Sequence, residues 1–141
     1  MQLFRRDGTV AAPISFEAEA EGPRAVALEQ WSSGSAELGV LLSPDADVEA
    51  LAEDLSKAPF VVLSFSKMAD GRPFSQARLL RGRLKYAGDI VASGPVTPDQ
   101  ATFLWRSGFS GALLAREANL EVWSRCSSRY PEFYQPAVGD A

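Results

Sequence analysis

The stretch SFSKMADGRPFSQARLLRGRLK, Ser64 to Lys85, gathers the residue types of this chain best suited to chemistry. Arg72 follows an Asp-Gly turn and precedes Pro73 and Ser75, which suit a helix start, so it sits near a helix N-terminus. Free N–H groups and the positive end of the helix dipole favour an anion there. A planar guanidinium adds a fork that grips phosphate or sulfate with two bonds. Lys67 adds charge from the same loop, and Ser75 and Gln76 lie three and four residues beyond Arg72, within reach of the same spot. Ser93 and Gly94, ending a neighbouring strand, would form the other wall. Lys67 and Asp70 are the candidates for catalysis. A desolvated lysine or a carboxyl with a raised pKa supplies a proton acceptor near neutral pH. The structural alternative is that Asp70 fixes a turn, Arg72 pairs with an acid, Ser75 caps the helix, and Arg78, Arg81 and Arg83 are solvated helix surface.

What the chain lacks narrows the chemistry. It has no histidine and a single cysteine, Cys126. A Cys/His zinc site, a cluster held by four thiolates, a disulfide within the chain and a Ser-His-Asp or Cys-His arrangement are all ruled out. No metal site is expected. No Gly-x-Gly-x-x-Gly fingerprint follows a strand, so no cofactor is detectable, though a flavin held by other means stays open. The formal net charge of −4 argues against nucleic acid as a partner. It is unevenly spread: Glu17 to Asp54 holds ten acidic residues and one basic, whereas Gly71 to Gly88 holds five basic and none acidic. No apolar run approaches the roughly 20 residues of a membrane helix, and the first residues lack a signal-peptide pattern, so a cytoplasmic location is the expectation.

Positioning such a site requires a scaffold, and 141 residues with 46% hydrophobic content suit one domain with its own core. Residues 1–24 form a β or irregular extension, with an Asp-Gly turn in RRDGTV and alternation in ISFEAEA. RAVALEQW suggests a short helix. LGVLL, FVVLSF, DIVAS and GALLA are buried-strand candidates. They alternate with helices through SPDADVEALAEDL, SQARLLRGRL, TPDQATFLWRSG and REANLEVWSRCSSRY. Ser43 is expected to cap the first of these with Pro44 at its first position, and Thr97 with Gln100 has the spacing of a capping box. The α/β pattern over residues 38–126 predicts βα units around a small parallel sheet, either open or part of a barrel, with 127–141 as a tail. In both architectures ligands bind at the carboxyl ends of the strands.

The runs DGRPFSQARLLR, DQATFLWRSGF and EFYQP resemble a bacterial domain-of-unknown-function family, number 934 among such domains. The similarity spans about Trp31 to Pro136 and includes Lys67, Asp70, Gly71, Arg72, Ser75, Gln76, Gly94, Asp99, Gln100, Gly108 and Phe109. The chain departs from the family pattern at Ser66 and Met68, where a proline and an aromatic residue are usual, and at Pro95, where an aspartate is. The family is often labelled an oxidoreductase of sulfite reduction, so the resemblance implies a place in that pathway. Reducing sulfite takes six electrons through sirohaem and an iron–sulfur cluster, which one cysteine cannot hold. The leading expectation is an accessory protein of assimilatory sulfite reduction that carries an oxyanion site and partners sulfite reductase or another sulfate-assimilation enzyme, through the aromatic segment WSRCSSRYPEFY. The alternatives are a small enzyme acting on a sulfur or phosphate oxyanion and a non-catalytic anion-binding module.

Overall fold

A computed structural model describes residues 1–17, 19, 21–31, 38–67 and 70–128. Seven strands form one mixed sheet in the order β2-β1-β7-β6-β5-β4-β3. They are β1 (Gln2–Arg5), β2 (Val10–Ala11), β3 (Arg24–Ala27), β4 (Leu38–Leu42), β5 (Phe60–Ser64), β6 (Asp89–Ser93) and β7 (Gly111–Leu114). Strands β3 to β7 are parallel and lie side by side in chain order, while β1 is antiparallel to both β7 and β2. Because successive parallel strands are neighbours, right-handed crossovers place every intervening helix on one face. The strand order never reverses, so there is no switch-point crevice of the doubly wound kind.

The chain itself forces this sheet to curl. Laid flat, seven strands would hold β2 and β3 about 29 Å apart. Yet Ser15 pairs with Arg24 at the start of β3, its N–H donating to Pro23 O and its carbonyl accepting from Ala25 N. The steps from Ala11, which ends β2, to Ser15 reach at most about 14 Å. Residues 12–15 therefore run from one edge of the sheet to the other, and the sheet is a half-barrel. Of the two architectures open in the sequence, the partial barrel is the one present.

Each face has its own core. The outer, helix-covered face buries Phe4, Val40, Leu42, Val61, Leu63, Ile90, Ala92 and Leu114 against the helices. The inner face collects Leu3, Ile14, Ala25, Val62, Val91 and Leu113. Both sets follow the two-residue alternation of strand side chains. At Gly39 on β4 an added Cβ would run into the ring of Phe60, so this glycine gives the ring its seat.

Two expected elements differ. RAVALEQW is not a helix: its first half is β3, paired with β4 along four residues, and Leu28–Gln30 is a 3-10 turn. Sheet pairing outweighs the helical propensity of Ala, Leu, Glu and Gln. This adds a fifth parallel strand. The helix expected from Ser43 starts only at Ala52 and ends at Leu55 (α1). Residues 43–46 make a turn, and Asp47 Oδ1 accepts from the N–H groups of Glu49 (3.1 Å) and Ala50 (3.2 Å), capping the turn of residues 48–51 that precedes α1; α1 itself has no side-chain cap. Val48 is buried from the turn before α1 and Leu55 from α1 itself. α2 covers Arg72–Arg78 and runs into a π-helical turn over Leu79–Arg83. Thr97 and Gln100 form the capping box before α3 (Ala101–Ser107), which ends on left-handed Gly108 (φ 114°). α4 (Leu120–Ser127) is capped by Asn119 and buries Trp123. Tyr130, Phe133 and Tyr134 lie outside the described residues. None of the described helices is long and apolar enough to cross a membrane.

Candidate functional site

The carboxyl ends of β3, β4 and β5, with the turns that follow β3 and β4, border an open cavity of about 470 Å³. Its wall includes Glu29, Ser43, Asp45, Ala46, Asp47 and Ser64. The expected location is therefore hollow, but the charge facing it is acidic. The acids come from the 3-10 turn after β3 and the 43–47 turn after β4. A helix starting at Ser43 would have put Asp45 and Asp47 in its first turn; because α1 starts only at Ala52, they lie in the segment that lines the hollow.

Arg72 stands beside this mouth with its guanidinium already engaged. Nε and Nη2 donate to Asp70 Oδ1 (3.0 Å) and Oδ2 (3.2 Å), and Nη1 donates to Asp45 Oδ1 (2.6 Å). Asp70 also accepts from the Ser66 hydroxyl (2.8 Å) and from the Arg72 backbone N–H (3.1 Å). The Arg72 guanidinium holds the Asp70 carboxyl far below the usual carboxylate range, with Ser66 assisting, although the carboxyl is buried. Asp70 in turn raises the Arg72 pKa.

This geometry corrects the picture of an open arginine fork beside free helix amides. Arg72 is shared between two carboxylates. Its own N–H belongs to Asp70, and Pro73, next in the first turn, has no N–H to give. A carboxyl held this firmly in its ionised form is also a poor proton acceptor, which removes the raised-pKa route to catalysis expected of Asp70.

Gln76 turns the same way as Arg72. Its Nε2 donates to the carbonyls of Ser43 (3.0 Å) and Ala46 (3.0 Å), so α2 clamps the 43–46 turn through two side chains one helical turn apart. Both point towards β4. Ser93 and Gly94, expected as the other wall, lie on the opposite side of β5, paired to it through Ser64 and Phe65. Gly94 (φ 106°) is needed for its turn, because an added Cβ would strike the Phe65 carbonyl. Ser75 is exposed on α2. Lys67 is exposed and offers its carbonyl to the Asp70 N–H (3.1 Å).

Arg78, Arg81 and Arg83 are also engaged. Arg81 donates to the carbonyls of Gly108 (2.9 Å), Tyr86 (2.9 Å) and Gly88 (2.6 Å) and to Ser110 Oγ (2.8 Å), and burial lowers its pKa. The π turn sets it at this junction of β6, β7 and α3. Arg78 lies 5.3 Å from the centre of the Phe103 ring, and Arg83 pairs with Glu49 at 3.5 Å. Among the described residues, no three of His, Cys, Asp and Glu come together as metal ligands.

A curled mixed sheet with interleaved helices and an acid-lined hollow at the carboxyl ends of its parallel strands defines an α/β half-barrel protein. Residues 39–141 match the family model described as bacterial protein of unknown function (DUF934), and the chain belongs to that family. No curated protein and no solved structure matches it.

Proposed function

We propose that this chain is an accessory protein of assimilatory sulfite reduction that docks on a sulfate-assimilation enzyme through the mouth at its strand carboxyl ends. The pathway rests on the family resemblance. The mode of action rests on one observation: Asp70, Arg72 and Gln76, the most chemically capable residues of the family motif, are spent on holding the 43–46 turn. What they hold in place is a concave surface carrying Glu29, Asp45 and Asp47. Such a surface favours a basic patch on a partner and repels anions until that patch arrives. The test is binding of the purified chain to purified sulfite reductase. Association that weakens as salt rises supports the proposal, and absence of association at low salt overturns it.

A second reading keeps an oxyanion at Arg72. The Asp45 side chain is 83% exposed, so its bond to Nη1 is solvent-accessible and open to exchange. Sulfite or sulfate would take the place of Asp45 while Asp70 keeps the other edge of the guanidinium. This reading expects Asp45→Asn to gain sulfite-dependent thermal stabilisation that Arg72→Gln lacks. Equal shifts in both variants would dismiss it.

A further inference from the structure

At the opposite end of the half-barrel a second cavity, of about 380 Å³, opens on the inner face of the sheet. Leu3, Ala11, Ile14, Phe60 and Val91 give it apolar walls. Arg5 and Asp89 line it as well, one ending β1 and the other beginning β6, with β7 between them. They meet because the β7 residue that separates them is Gly111, in register with both Arg5 and Val91. An added Cβ there would lie 3.2 Å from Leu3 Cδ1, on the same inner face.

The pair is loosely made. Arg5 Nη2 is 3.3 Å from Asp89 Oδ1 and 3.4 Å from Oδ2, and Nη1 is 3.5 Å from Oδ2. Strong charge-assisted bonds of this type lie nearer 2.8 Å. The two side chains remain 36% and 46% exposed. A cationic fork and a carboxylate thus stand side by side over an apolar hollow of ligand size.

We infer that this cavity binds a free α-amino acid with an apolar side chain, its carboxylate on Arg5, its ammonium on Asp89 and its side chain among Leu3, Ile14 and Phe60. Charge complementarity selects the zwitterion. A lone anion would displace Asp89 from Arg5 and leave that carboxylate unpaired, a lone cation would strand Arg5, and a zwitterion satisfies both.

The experiment is calorimetric titration of the wild-type chain with L-leucine, 4-methylpentanoate and 3-methylbutylamine, the latter two lacking one charge each. L-leucine is expected to bind, and each analogue to bind at least about tenfold more weakly, the cost of one charged hydrogen-bonding partner. Arg5→Gln and Asp89→Asn are expected to weaken L-leucine by a similar factor. Ala12→Trp, at an exposed position on the cavity wall, is expected to block it without touching the ion pair. Circular dichroism melting of each variant separates lost binding from lost fold. No binding by L-leucine, L-methionine or L-phenylalanine overturns the inference. So does equal binding of L-leucine and 4-methylpentanoate, or full binding retained by folded Ala12→Trp.

Discussion

Arg72 on α2 and Asp45 after β4 meet at 2.6 Å beside the mouth of the half-barrel, and Asp70 grips the other edge of the same guanidinium. The two carboxylates differ in setting: the Asp70 side chain is 3% exposed and the Asp45 side chain 83%. The buried one fixes where the arginine stands, and the exposed one records where its outer edge points.

Acid stability follows from Asp70. Its folded pKa is depressed by Arg72 and Ser66, so it contributes stability that is fully present above the unfolded value near 3.9 and is lost as pH falls through the lower folded pKa. Asp70→Asn is expected to lower the melting temperature at pH 7 and to flatten its decline below about pH 4. Melting curves between pH 2 and pH 7 check this, and parallel curves for wild type and variant would contradict it.

Arg81 ties β6, β7 and α3 together through three backbone carbonyls and the Ser110 hydroxyl. Arg81→Lys keeps the charge but loses the fork, and the carbonyls it leaves unsatisfied are expected to cost about 2–3 kcal/mol in urea unfolding. A loss below about 0.5 kcal/mol, the usual range for a surface position, would show that water replaces the fork.

Tyr86 is buried and donates to Ala58 O at 2.7 Å. Burial pushes its pKa up to about 12. Its folded pKa lies above the unfolded value near 10, so its contribution is intact below pH 10 and declines as pH rises from there towards 12. Tyr86→Phe is expected to cost about 1–2 kcal/mol at pH 7 and to lose less than wild type on going to pH 11. Alkaline unfolding followed by fluorescence measures both.

Gly39 and Phe60 are coupled by space. Gly39→Ala is expected to destabilise by about 1–3 kcal/mol, because the new Cβ meets the Phe60 ring, and Phe60→Ala in the same chain should return part of that loss. Additive effects in a double-mutant cycle would show that the ring moves aside freely.

Much of the scaffold was legible from local signals. Buried apolar runs marked β4 to β7, and Thr97 with Gln100 marked the start of the α3 segment, because strand burial and helix capping are encoded within a few residues. The curl was not legible, since it depends on Ser15 pairing beside β3 across the whole sheet. Nor was β3, whose composition suits a helix. A hollow does lie at the strand carboxyl ends, but the way Arg72 and Gln76 point was not legible. That direction depends on Asp45, 27 positions earlier in the chain. The Arg5–Asp89 pair was hidden for the same reason: a lone arginine and a lone aspartate become neighbours only once β1 lies beside β7.

The claim that the acid-lined mouth is the docking surface is tested most directly by the affinity of purified sulfite reductase for wild type and for the double variant Glu29→Lys, Asp47→Lys, measured across salt concentrations. Both positions are exposed, but Asp47→Lys also removes the oxygen that accepts from the Glu49 and Ala50 N–H groups, a loss of about 1 kcal/mol, so circular dichroism melting of the variant separates lost binding from lost fold. The account predicts that wild type binds, that binding weakens as salt rises, and that the charge-reversed variant loses at least about tenfold. A reductase that ignores wild type, or that holds both proteins equally at low salt, would contradict it.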